Sequence, residues 1–168
     1  MSGLKFVVFI LVLMDQLFKV WAYNATAQAD FNIVPGVFRI SYIENTGAAF
    51  NLFAGSRWPL VIVTAVLLLG VAYFLFSNKV KDEWAQSGLC MILAGGTSNL
   101  IDRIIRGHVV DYLDFTQLIN FPVFNFADVC VAVGGDHARL LCSLCRAQKA
   151  QGRRREYRGL RWNSSATP

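Results

Sequence analysis

Four apolar stretches organise the chain. The first runs from about Leu4 to Tyr23, and the second, Trp58 to Phe76, holds 19 residues without a charge. As a helix the second would be about 28 Å long, close to the thickness of a bilayer core. The third, about Trp84 to Ile105, starts apolar and then turns small and polar. The fourth begins near Phe121 and fades after Gly135. Between the first two, Phe38, Ile40 and Tyr42 alternate with Arg39 and Ser41, just after the turn pair Pro35-Gly36. That period of two predicts a strand on the outer membrane surface. The expected fold is an all-α membrane protein, a bundle of four transmembrane helices with a small outer β element.

The fourth stretch is short. From Phe121 to Gly135 there are 15 residues, and Asp136, His137 and Arg139 follow at once. A charge at the bilayer centre costs at least about 2.5–3.5 kcal/mol. The fourth helix is therefore expected to be truncated, with a membrane-embedded domain over residues 1–134. Residues 135–168 read as a basic, polar tail that is either disordered or a frame-error extension. A genuine tail of this kind would hold Asp128 poorly and impair any activity that depends on it.

Composition agrees with a membrane. Hydrophobic residues make up 55% of the chain and charged residues 16%, against about 25% charged in a soluble domain. The net charge of +5 belongs to the tail: residues 1–134 carry 8 basic and 9 acidic groups, residues 135–168 carry 8 and 2. That tail has few aromatics and no repeat, which argues against nucleic-acid binding. Lys79 and Lys81 lie between the second and third stretches. With the basic tail, they place both termini and that connection in the cytoplasm. The segments 23–57 and 106–120 then face outward, where Arg103 and Arg106 need partners. A cleaved signal peptide ending at Ala27-Gln28-Ala29 is the rival reading of the first stretch. Asp15, Gln16 and Lys19 suit a retained helix better. Cys90 and Cys130 sit in apolar runs; Cys142 and Cys145 form a lone Cys-x-x-Cys with no second ligand pair, so no metal site is expected.

The ionisable groups inside apolar stretches carry the chemistry. Asp15, Asp102, Asp111 and Asp128 come from separate elements and fall on one side of the bilayer. Asp111 and Asp128 each lie in an apolar setting, Val109-Val110-Asp111-Tyr112 and Phe126-Ala127-Asp128-Val129. Two carboxylates held close in low dielectric keep one proton between them, which suits acid–base hydrolysis of a peptide. The same residues can instead cap helices or pair with arginines. Asn99, Asp102 and Arg103 share a helix face behind the small residues at 95–98. Asn45 and Gly47 suit a tight turn, and Asn125 lies three residues before Asp128.

Five motifs now stand in one order: Asp15-Gln16-x-x-Lys19, Asn45-Thr46-Gly47-Ala48-Ala49-Phe50, Gly95-Gly96 through Asn99-x-x-Asp102-Arg103, Val109-Val110-Asp111-Tyr112, and Phe121-Pro122-x-Phe124-Asn125-x-Ala127-Asp128. Together they resemble the lipoprotein signal peptidases (signal peptidase II). The resemblance implies an aspartic endopeptidase of the bacterial inner membrane, with its active site on the periplasmic side. Its substrate would be a diacylglyceryl-modified prolipoprotein, cut just before the lipidated Cys. By the same resemblance Asp111 and Asp128 are the catalytic pair, and Asn45, Asn99, Arg103 and Asn125 surround them. Asp15, Lys19 and Asp102 support the site. No metal or cofactor is implied, and membrane lipids and substrate are the expected partners of a monomer. Ser98 departs from the family, which usually has Gly there. A catalytically impaired relative and a small proton-relay or transport subunit are the alternatives.

Overall fold

The computed structural model describes residues 2–47, 57–77 and 79–140. Most of the expected tail, Cys142 and Cys145, and the Ala48-Ala49-Phe50 end of the second motif lie outside the described residues.

Three helices coincide with the first three apolar stretches: α1, Ser2–Ala25; α2, Arg57–Phe76; and α3, Glu83–Ile105. Two of them, α1 (over Gly3–Ala25) and α2, are long and apolar enough to cross a membrane. Pro59 falls in the first turn of α2, where its missing N–H breaks no helical bond. Asp82 caps α3 by accepting the Ala85 amide at 2.8 Å. At the other end of α3, Gly107 takes a positive φ of 86° as the chain leaves the helix.

The fourth stretch differs from the expectation at both ends. Residues 121–125 are not helical; α4 occupies 126–140 and runs through Asp136, His137 and Arg139. Its path explains how those charges are carried. The His137 ring stacks on Trp84 at the start of α3, 5.5 Å between centroids. The charged end of α4 therefore lies level with the first turns of α3, around Trp84 and Gly88, and not halfway along it.

Small residues let α3 and α4 approach. A Cβ built on Gly95 would meet the Ala127 carbonyl oxygen at 2.2 Å, and one on Gly134 would meet the Gly88 oxygen at 2.5 Å. α3 also packs on α1 and α2, and is the central helix. Leu68, Leu75, Cys90 and Leu93 form the buried core between α2 and α3.

The β element is larger than the sequence pattern suggested. It is a three-stranded antiparallel sheet in the order β1 (Phe31–Val34), β2 (Phe38–Asn45), β3 (Val109–Asp114). A register shift between Ile40 and Ile43 breaks the alternation of β2, so Ile40 and Ser41 are both buried. Ala22, Ile40 and Tyr112 form a second core where α1, the sheet and the start of α4 meet. Asp114 ends β3 in a buried position. Burial pushes its carboxyl up, but Thr116 and the Arg39 guanidinium, 2.6 Å away, hold it below the usual range.

Candidate active site

The first turn of α4 shows how the site is assembled, because its orphan amides are taken up by Tyr112, Asp15 and the cap residue Asn125. The Phe126 amide donates to the Tyr112 hydroxyl at 3.2 Å, and the Ala127 amide to Asp15 at 3.0 Å. The Asp128 amide donates to the Asn125 side-chain oxygen at 2.9 Å, while Asp128 Oδ2 accepts the Asn125 amide at 3.1 Å. This reciprocal pair is a capping box with Asn at the cap and Asp three residues on. Asp128 thus caps its own helix with one oxygen. Its other oxygen, Oδ1, accepts from Asn99 at 2.8 Å.

Asp111 comes from β3, opposite Ile43 of β2. Its two oxygens accept from Asn45 at 2.9 Å and from Asn125 at 2.7 Å. One asparagine therefore joins the two acids: Asn125 donates its side-chain N–H to Asp111 and its backbone N–H to Asp128. Burial pushes the Asp111 carboxyl up to about 6; the Asn45 N–H pulls against this and the Asp128 charge adds to it.

The orientation of each amide follows from groups that can only donate or only accept. The Asn45 oxygen takes the Gly47 amide at 3.0 Å, so its nitrogen faces Asp111. The Asn125 oxygen takes the Asp128 amide, and its nitrogen also reaches the Val110 carbonyl at 3.2 Å. The Asn99 oxygen takes the Lys19 ammonium at 2.9 Å, so its nitrogen faces Asp128. Three asparagines from three elements all turn their N–H groups toward the acid pair. With the Asn125 backbone, each of the four carboxylate oxygens receives one N–H.

Asp111, Asp128, Asn45, Asn99 and Arg103 line one cavity of about 860 Å³. Phe121, Phe124, Ile43 and Val109 give it an apolar wall. Arg103 reaches across to the Gly47 carbonyl at 3.2 Å.

The other two acids form a separate group. Lys19, 1% exposed, lies 2.7 Å from Asp15 and 2.6 Å from Asp102. Arg106 completes the group at 2.5 Å from Asp102. Thus the four carboxylates divide into a pair on the cavity and a pair behind it. Ser98, fully buried, donates to Asp15 at 2.6 Å and accepts from Gln16 at 2.9 Å. Neither the small size of Ser98 nor the position of Gln16 in α1 shows these contacts by itself. Their signal was present: each is a polar residue in an apolar run, at the level of Asp15.

A family model described as signal peptidase (SPase) II matches residues 7–142. The chain belongs to that family. The lipoprotein signal peptidase of Nostoc sp. is 44% identical over 131 residues, covering 75% of this chain and 80% of the relative. That of Lactococcus lactis subsp. lactis is 40% identical over 124 residues, covering 73% and 81%. Among solved structures, a bacterial membrane enzyme crystallised in meso superposes with a TM-score of 0.76 at 26% identity. That similarity covers 88% of this chain and 90% of the other. The signal peptidase II match takes in all five motifs and runs six residues past the start of the charged segment at Asp136.

Proposed function

We propose that this chain removes signal peptides from diacylglyceryl-modified prolipoproteins, with Asp111 and Asp128 activating a water on the scissile peptide. The observation that carries the dyad is the bridge made by Asn125, which ties an acid on β3 to an acid on α4 at the wall of one cavity.

The roles divide by environment. Asp128 stands in the first turn of a helix, where two N–H donors and the positive end of the helix face its carboxylate. It is the base that takes a proton from water as the water oxygen bonds to the carbonyl carbon. Asp111, pushed up to about 6, is the acid that gives its proton to the carbonyl oxygen. Collapse of the tetrahedral intermediate breaks the C–N bond; the proton held by Asp128 passes to the leaving amine, and one hydroxyl returns its proton to Asp111 as the C=O re-forms. Arg103 lies on the cavity wall, where it holds the substrate backbone, while Asn45 beside it holds Asp111.

The membrane arrangement is part of the proposal. All four helices cross the bilayer of a bacterial inner membrane, with both termini cytoplasmic and the cavity under the sheet on the periplasmic side. Large apolar side chains point outward along α1 and α2, among them Phe6, Phe9, Leu17, Ile62, Val66 and Leu69. The charged end of α4, level with the polar start of α3, meets the inner interface. The acyl chains of the substrate stay in lipid while its cleavage site enters the cavity of a monomeric enzyme. The purified protein is expected to cleave a diacylglyceryl-modified prolipoprotein and expose the lipidated Cys as the new N-terminus. An unmodified precursor is expected to react at least about tenfold more slowly, as loss of remote binding energy demands. Equal rates on both, or cleavage elsewhere, would overturn the substrate assignment.

A further inference from the structure

The buried group behind the cavity has a property that its ion pairs alone do not explain. Lys19 sits between two carboxylates that already balance its charge, yet its third contact is to the neutral Asn99 oxygen. An ammonium only donates, so the face of Asn99 beside it must be the carbonyl. The other face, which meets Asp128, must then be the N–H₂. Asn125 Nδ2 also reaches the Asn99 oxygen, at 3.2 Å, but its two hydrogens are shared with Val110 and Asp111, so Lys19 at 2.9 Å is the firmer hold. An amide freed of that hold can turn over and offer its oxygen to Asp128, an arrangement stable only when Asp128 carries a proton.

We propose that Lys19 is a positioning residue of the peptidase reaction, locking the Asn99 amide so that its N–H faces Asp128 and keeps that carboxylate free of a proton. The inference rests on the dyad reading above. Around the Asp128 site, α1 brings Asp15 and Lys19, α3 brings Asp102, Arg103 and Arg106, β3 brings Asp111 and Tyr112, and α4 adds Cys130. Asp15 and Asp102 lie closer to Lys19 than Asn99 does, and Arg106 offsets Asp102. Asp15 opposes the Lys19 charge at Asp128, and what remains of that field acts together with the hydrogen bond to Asn99.

The test is the pH profile of kcat/KM for cleavage of the lipidated substrate by the full chain. Lys19→Arg keeps an obligate donor and is expected to leave the acidic limb in place. Lys19→Gln and Lys19→Met remove the lock, and the acidic limb is expected to move up by about one pH unit, the worth of one hydrogen bond to a charged group. The double variant Asp15→Asn/Lys19→Gln takes away one charge of each sign and leaves no unpaired buried ion. It guards against misfolding of the single variants and is expected to show the same shift. An acidic limb that stays at the wild-type pH in the double variant would overturn the role given to Lys19, even if the rate falls. A wild-type chain that cleaves no lipidated substrate would overturn the peptidase reading itself.

Discussion

Asparagine is the working residue of this site, and its value lies in having two unlike ends on one short side chain. Asn45 shows it most simply: the Gly47 amide holds its oxygen, and its nitrogen is spent on Asp111. That N–H favours the ionised form of Asp111. If Asp111 is the acid, activity is lost as pH rises through the point where it gives up its proton, near 6. Asn45→Ala removes the N–H, so Asp111 keeps its proton to higher pH. The basic limb of kcat/KM is then expected to move up by about 0.5–1 unit while the maximal rate falls; a limb that moves down would contradict the assignment. Asn45, Asn99 and Asn125 were all legible in the sequence as amides near apolar segments that also carry acids. Which end of each faces the dyad was not, because Gly47, Lys19 and the Asp128 backbone decide it from outside.

At the scale of elements, the site depends on how closely two helices and one strand meet. The helices were legible because apolar length and Gly95-Gly96 are local signals. β3 was not: Val109–Asp114 is buried on both faces apart from Leu113, so it lacks the alternation that marks a half-buried strand. Its partner lies more than sixty residues away, at Asn45 opposite Val109. The non-helical segment ahead of α4 was hidden for a similar reason. Phe124 pairs with Leu113 through backbone hydrogen bonds at 2.8 and 3.2 Å, which holds residues 121–125 out of the helix. The α3–α4 contact gives a direct prediction. Gly95→Ala drives a methyl into the Ala127 carbonyl oxygen and is expected to destabilise the protein by about 1–3 kcal/mol. It should also separate Asn99 from Asp128 and lower the cleavage rate. Gly70→Ala, with open space around it, is expected to be neutral or stabilising by up to about 1 kcal/mol. Thermal unfolding of both in detergent checks the contrast; equal behaviour would mean that α3 and α4 do not touch at Gly95.

For the whole molecule, the proposed hydrolytic chemistry depends on an apolar surround. An apolar surround raises the cost of ionising two neighbouring acids, so they share a proton at a pH where exposed carboxylates would both be charged. β2 and β3 bring Asn45 and Asp111 to the cavity, and α3 brings Asn99 and Arg103. Composition and the four apolar stretches made the membrane bundle legible. The depth of each charge was not, since Asp136, His137 and Arg139 take their level from Trp84 and Gly88 on another helix. The central claim is that two acids from β3 and α4 act as one hydrolytic unit. The initial rate of lipidated prolipoprotein cleavage, measured for the wild type, Asp111→Asn and Asp128→Asn at equal amounts of folded protein, tests it. Each substitution is expected to reduce the rate by at least about 10²–10⁴-fold, the range for a lost acid or base; either variant cleaving within about threefold of the wild type would contradict the account.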